Sequence, residues 1–339
     1  MKKPKPTATT RAAPQDGDAP WSPDAPTIGG VVLGAVVLVW LVKPLFHKKT
    51  VQSARTPAPI PDDKTLDKYI IEAEMANGGT ATVYRGKDPA GVTVAIKIPH
   101  REQINDRDFV ATFLREAQIG LELRHPSIVR VLHAGSYREA GFRQIPYFVM
   151  EYLEGQELGD LIHKGPLESQ FAIMVARSVA DALQWAHARG VVHRDISPAN
   201  IFITNKRLVK VMDFGISTVS ARFTGKRQSK ALNFGTPAYL APERITNSRG
   251  DARSDIYSLG CVLFEMIAGA PPYVHERPEI VVQMHLKAPV PSLKNETTAS
   301  VVARPLDIVV AKLLAKDPKN RYQTAGEVVS ALADLIEET

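Results

Sequence analysis

The string HRDISPAN, His193 to Asn200, followed thirteen residues later by Asp213-Phe214-Gly215, constrains this chain more than any other stretch of it. Asp195 and Asn200 fall on one short loop, and Asp213 lies across a hairpin-length gap. A carboxylate and an amide oxygen are hard donors suited to a divalent cation on phosphates, and the remaining carboxylate suits a base beside it. Any one of the three alone would read as a turn residue. Order and spacing make them a set.

Upstream, from Tyr69, the pattern is one of short alternating runs. Residues 69–74, 82–86 and 92–97 read as three antiparallel strands. The first turn holds Ala76, Asn77, Gly78 and Gly79, small residues that let backbone N–H groups come close to a phosphate, although an ordinary hairpin would look similar. Val94-Ala95-Ile96-Lys97 ends a strand on a lysine, and nineteen residues later Glu116 sits in a run with helical apolar spacing at Phe109, Phe113, Ala117 and Leu121. Glu122 is the other acidic candidate on that helix. A second amphipathic helix, residues 171–190, stops at Gly190 just before the HRD string.

Together these motifs resemble the eukaryotic-type protein kinases, from about residue 67 to the end of the chain. The resemblance implies an α+β fold of two lobes: a five-stranded sheet plus one helix, then a mainly helical lobe, with ATP in the cleft. It implies that Lys97 contacts the α- and β-phosphates and is held by Glu116, with Gly78 keeping one of three spaced glycines and Ala76 and Ala81 standing at the other two. Val83 and Ala95 would roof the adenine, Phe202 would lie below it, and Met150 would be the gatekeeper of a hinge whose backbone at Glu151 and Leu153 meets the adenine edge. Asp195 would orient the acceptor hydroxyl, while Asn200 and Asp213 would hold Mg²⁺ or Mn²⁺. The segment from Gly235 to Tyr239 is similar to that of serine/threonine kinases, with Thr236 beside Asp195 and protein serine or threonine hydroxyls as acceptors. Arg194 would pair with a phosphate on the activation segment, where Thr218, Ser220, Thr224 and Ser229 are candidates. Asp255 would brace the catalytic loop and Arg321 would pair with Glu243. One departure stands inside the motif: Ser197 occupies the position where most serine/threonine kinases carry lysine, a variant similar to forms found among bacterial members of the family.

The N-terminal part has a different character. Residues 1–27 are rich in Pro, Ala, Thr and Asp and cannot bury enough surface to offset chain entropy, so disorder is expected. Ile28 to Val42 carries no charge over fifteen residues. At ~1.5 Å per residue that is about 22 Å of helix, which one further turn to Phe46 lengthens toward the ~30 Å hydrocarbon core while Lys43 snorkels. A single transmembrane helix over 28–46 is expected, rather than a cleaved signal peptide or a buried helix. Lys43, Lys48, Lys49 and Arg55 follow it, so the ATP-using domain should face the cytoplasm from the cell (inner) membrane. Residues 47–66 read as a Pro-rich juxtamembrane linker to the kinase domain at 67–339, and the tail leaves no room for a folded extracellular sensor.

Composition removes other classes. A single cysteine, Cys261, excludes an intrachain disulfide, and its apolar helical surroundings make it a core thiol. A formal charge of +6 is modest for 339 residues, and without aromatic–basic interleaving it does not argue for nucleic acid. The expected activity is therefore serine/threonine phosphorylation at a membrane, regulated by activation-segment autophosphorylation, with a homodimer acting in trans among the partners implied. The alternative is a pseudokinase scaffold that binds nucleotide and recruits partners. The altered glycine turn and Ser197 favour it; Lys97, Glu116, Asp195, Asn200 and Asp213 oppose it.

Overall fold

Six strands form the first sheet, in the order β1-β2-β3-β4-β6-β5, all neighbours antiparallel. The structure, a computed structural model, describes residues 57, 60–139, 144–214, 237–246, 250–293 and 303–337. The strands are β1 (Thr65–Leu66), β2 (Tyr69–Asn77), β3 (Ala81–Lys87), β4 (Thr93–Pro99), β5 (Val131–Tyr137) and β6 (Ile145–Glu151). Alternation builds them: Tyr69 and Ile71 are buried while Ile70 and Glu72 face out. β4 is the exception, buried along nearly its whole length because it runs mid-sheet beneath a covering helix.

The sheet has one strand more than the five expected. β1 lies in the last two residues of the stretch expected as linker. Lys64 and Asp67 adopt left-handed backbone (φ 57° and 56°), which reverses the chain on both sides of β1 and seats Leu66 at 0% exposure in the core. A two-residue strand defined by its flanking turns has no periodicity to read. Pro57 also bridges to His100 beyond β4.

Two helices, not one, accompany the sheet: α1 (Arg101–Ile104) and α2 (Arg107–Glu122). Asp106 caps α2 by accepting from Asp108 N and Phe109 N, a contact worth about 1 kcal/mol. Phe109, Phe113 and Ala117 turn inward against Phe148 of β6. On the same face, Glu116 is carried under the sheet.

The second half is mainly helical. After β7 (Gly155–Glu157) come α3 (Leu158–His163) and α4 (Ser169–His187), then β8 (Ile201–Thr204), β9 (Val209–Val211), α5 (Pro242–Ile245), α6 (Ala252–Ala268), α7 (Pro278–Lys287), α8 (Ala303–Leu313) and α9 (Ala325–Glu337). α4 packs its Ala-rich face (Ala172, Ala176, Ala180, Leu183) into the core with α6. α6 is buried on all sides from Ser254 to Ile267, Cys261 included at 0% exposure. Asp251 caps its start, and Gly269, at φ 77°, ends it in the left-handed conformation that a Cβ would strain. β7, β8 and β9 make a three-stranded antiparallel sheet, and the β8–β9 hairpin carries the chain from Asn200 to Asp213.

Among the described residues no helix is long and apolar enough to cross a membrane. The expected span at 28–46, with the tail before it, lies outside the described residues.

Candidate active site

Lys97 reaches down from β4 and donates to Glu116 Oε1 at 3.1 Å and to Asp213 Oδ1 at 2.8 Å. Three distant parts of the sequence thereby meet at one ammonium. Burial opposes the charge of Lys97, but the carboxylates of Asp213 and Glu116 outweigh it and hold the ammonium protonated far above neutrality. Burial acts the other way on Glu116: despite Lys97, and with Asp213 adding repulsion, its carboxyl is pushed up to about 7. Glu122, the rival on the same helix, is exposed at its last position.

The loop between α4 and β8 is organised from below by Asp255 of α6, itself fully buried. Its carboxylate accepts from His193 N at 2.8 Å and Arg194 N at 2.7 Å, and lies 2.8 Å from His187 Nε2. Burial works against its charge, yet His187, His193 and the Arg194 N–H together hold it below the usual carboxylate range. Arg194 needs that support: its φ is 66°, in the left-handed region, and Asp213 shares the trait at 58°. Such residues cost about 1–3 kcal/mol each and persist where surrounding contacts over-determine them. Those contacts are visible. Arg244 NH1 donates to Arg194 O, His193 Nε2 lies 2.8 Å from Met212 O, and Met212 N donates to Asn200 O at 2.9 Å. Phe214 meets the His193 ring edge-on at 4.6 Å and is buried, so the chain on both sides of Asp213 is pinned.

Asn200 donates through Nδ2 to Asp195 O at 2.7 Å and to Asp195 Oδ2 at 3.1 Å. Its Oδ1 and the Asp213 oxygen that Lys97 does not take are the atoms expected to meet a cation. One carboxylate and one amide oxygen fit Mg²⁺, which keeps most of its ligands as water and substrate phosphate. Ser197 is buried and opens the tight turn Pro198–Asn200, accepting Asn200 N at its carbonyl.

The residues expected to face a nucleotide fall as follows. Ala76 and Asn77 end β2, paired with Val83 and Thr82 of β3. Gly78 N donates to Ala81 O at 3.0 Å. A Cβ on Gly79 would meet nothing within 4 Å, so protein packing gives no reason for its smallness and the space is open to a ligand. Val83 pairs with Lys97, and buried Ala95 pairs with Met150. Met150 packs beside Phe113 and Phe148, Leu153 follows half-buried, and Phe202 stands half-buried on β8. Gly215, Thr236 and the activation-segment candidates Thr218, Ser220, Thr224 and Ser229 lie outside the described residues.

Two relationships escaped sequence reading. The Glu151 carboxylate accepts from Lys210 of β9 at 2.6 Å and from Arg130 N at 2.9 Å, tying the end of β6 to the strand that leads to Asp213. Tyr239 donates to Glu265 Oε2 at 2.6 Å, and burial pushes the Glu265 carboxyl up to about 7. A glutamate inside the otherwise apolar run SLGCVLFEM was the available signal for the second. Nothing local announced the first. Arg321, as expected, grips Glu243 with NH1 and NH2, each at 2.8 Å.

A family model described as "Protein kinase domain" matches residues 69–331. The serine/threonine-protein kinase PknB of Mycobacterium leprae is 41% identical over 273 residues, covering 80% of this chain and 43% of that protein. The protein of the same name from Mycolicibacterium smegmatis is 40% identical over 273 residues, again 80% and 43%. Among solved structures, the Mycobacterium tuberculosis PknI kinase domain superposes with a TM-score of 0.63 at 26% identity, covering 82% of this chain and 100% of that one. The chain spans less than half the length of the curated relatives it matches.

Proposed function

The chain belongs to the protein kinase domain family, and from that premise we propose that it transfers the γ-phosphoryl group of ATP to serine and threonine hydroxyls of proteins. The observation that carries the reading is the Lys97 ammonium held between Glu116 and Asp213. A cation so placed has no packing role that a hydrophobic residue would not fill better. It suits the phosphate chain of a nucleotide.

In this reading Lys97 orients the α- and β-phosphates, and the small residues Ala76 to Gly79 let the backbone approach them. Val83, Ala95, Met150 and Phe202 enclose the adenine, whose edge meets the main chain at Glu151 and Leu153. Asp195 aligns the acceptor hydroxyl and takes its proton; because the transition state is loose, alignment matters more than basicity. The Asn200 amide keeps the Asp195 carboxylate in place for that task. Asn200 and Asp213 would hold Mg²⁺ or Mn²⁺, which neutralises phosphate charge when bound.

Two further elements belong to the proposal. The chain is anchored by the apolar segment 28–46 with its kinase domain in the cytoplasm, supported by the uncharged run and the basic residues after it. Deleting residues 1–46 should move the protein from the membrane fraction to the soluble one; unchanged partitioning overturns the anchor. Activity is raised by autophosphorylation of the activation segment, in trans within a homodimer. In support, Arg194 Nε is buried with no hydrogen-bond partner among the described residues. Mass spectrometry of ATP-incubated protein should find phosphate between Phe214 and Thr236, with Thr224 and Ser229 favoured.

The deciding experiment for catalysis uses radiolabelled ATP with Mg²⁺ or Mn²⁺ and a generic protein acceptor. Label should appear on serine and threonine. If wild type gives no more than Asp213→Ala, the enzyme reading fails and the nucleotide-binding scaffold takes its place.

A further inference from the structure

Gly120 stands in the last turn of α2, where its backbone is helical and asks for no special φ. A glycine in a helix costs about 1 kcal/mol relative to alanine, so its smallness calls for a contact. That contact is Val131 of β5. A Cβ on Gly120 would fall inside the Val131 Cγ2 methyl and 3.1 Å from the Val131 Cβ, where carbons rest at roughly 3.5–4.0 Å. Helix and strand therefore meet with no side chain on the helix side.

Val131 reaches α2 because β5 is irregular. Between Val131 and His133 the pairing with β6 passes over one residue, Leu132, which is 40% exposed. In an unbroken strand Val131 would share a face with His133, whose ring lies by those of Tyr69 and Tyr147 on the other side of the sheet. The bulge turns Val131 over, so that it joins Ala134 and Phe148 against the aromatic face of the helix. The ladder then fixes its place: Val131 pairs with Met150 of β6, Met150 pairs with Ala95 of β4, and Lys97 lies two residues along β4. The surface that stops Gly120 belongs to the sheet that carries Lys97.

Glu116 lies one turn before Gly120 on the same face of α2. On its other side Phe113 meets Phe148 with ring centroids 5.0 Å apart. Beyond Gly120, Leu123 ends the helix and is buried in the core of the helical lobe. The carboxylate is thus bracketed between an aromatic contact and a bare backbone contact. A Cβ at position 120 would have to lift α2 by on the order of 1 Å to restore carbon–carbon contact. The 3.1 Å hydrogen bond from Lys97 to Glu116 would not survive that displacement.

We propose that Gly120 is a positioning residue for phosphoryl transfer: resting on Val131, it sets the distance between α2 and β4 at which Glu116 holds Lys97. The inference rests on the kinase reading, in which Lys97 orients the phosphates of the nucleotide. Gly120 and Val131 act only through that pair.

The test uses the full chain carrying Gly120→Ala, alone and together with Val131→Ala, which clears the space that the new methyl needs. Two readouts are taken. Turnover with a serine/threonine peptide should fall about 10- to 10²-fold in Gly120→Ala, the scale of a 1 Å misplacement, with the peptide KM unchanged. The double variant should regain most of it. The second readout needs no activity: the coupling between Lys97→Met and Glu116→Gln in urea denaturation, measured as a double-mutant cycle in each background. That coupling should vanish in Gly120→Ala and return when Val131→Ala is added, whereas a general loss of packing would leave it intact. A folded Gly120→Ala protein with undiminished turnover or undiminished coupling overturns the proposal, as does a loss that Val131→Ala does not relieve. Should Gly120→Ala alone not fold, the double variant decides: folded and active, it supports the proposal; unfolded or inactive, it overturns it. Wild-type protein that transfers no phosphate sinks the kinase reading instead, and the coupling cycle then still decides whether Gly120 sets the Lys97–Glu116 distance.

Discussion

Asn200 holds Asp195 twice, donating from one amide nitrogen to both its carboxylate and its backbone carbonyl. In the proposed reading, the residue meant for the metal and the residue meant for the acceptor are therefore one unit. Asn200→Leu should lower phosphoryl transfer by about 10²–10³-fold, typical of losing a preorganised polar group. Because the amide oxygen goes too, Mn²⁺ affinity in the presence of ATP, read by electron paramagnetic resonance, should weaken in the same variant. Unaltered Mn²⁺ binding would show that Asn200 serves Asp195 alone.

Lys97 is worth less to the fold than a single mutant suggests. Lys97→Met leaves Glu116 buried without its cation, and removing one partner of a buried pair costs about 3–5 kcal/mol. Urea denaturation should show that loss. Adding Glu116→Gln should return most of the stability and none of the activity. If the double variant is no more stable than the single, the burial argument is wrong.

The same glutamate sets a pH dependence with two opposite signs. Its folded value of about 7 lies above the ordinary 4.5, so the folded protein holds this proton more tightly than the unfolded chain does. Its contribution to stability therefore falls as pH rises from 4.5 through about 7. The ion pair with Lys97 goes the other way, lost as pH falls through about 7, and transfer should fall with it. A pH–rate profile and a pH–melting profile on one preparation test both signs. Glu116→Gln should flatten the acid limb of the rate.

Arg321 has a different job. Besides Glu243, its guanidinium donates to the carbonyls of Arg253, Ala315 and Lys316. Arg321→Lys keeps the charge but cannot serve so many acceptors, so it should still destabilise by about 2–3 kcal/mol. The measurement is thermal unfolding with and without nucleotide; an ATP affinity that falls while stability is unchanged would contradict a purely structural role.

Sequence reading recovered what is written in local spacing. Lys97, Glu116, Asp195, Asn200 and Asp213 lie on short motifs, and the structure brings Lys97 to Glu116 and Asp213, and Asn200 to Asp195. It missed what depends on turns and on distant backbone. β1 is two residues between left-handed positions, and the left-handed φ of Arg194 occurs at a residue type that carries no such signal. The Glu151–Lys210 contact joins residues 59 apart through the fold of the β8–β9 hairpin. Periodicity speaks for faces of elements, not for which surface charges meet.

That contact bears on how the site keeps its dimensions. Glu151 is committed to Lys210 and Arg130, so under the proposed function recognition of a purine there would fall to main chain. Main chain cannot be edited by changing a side chain; it can only be displaced. Lys210 lies three residues from Asp213 on the same strand and its exit, so in the proposed reading the clamp would gauge the purine end and the phosphate end of the nucleotide against a single ruler. Loosening it would alter the span of the site without altering any group that lines it.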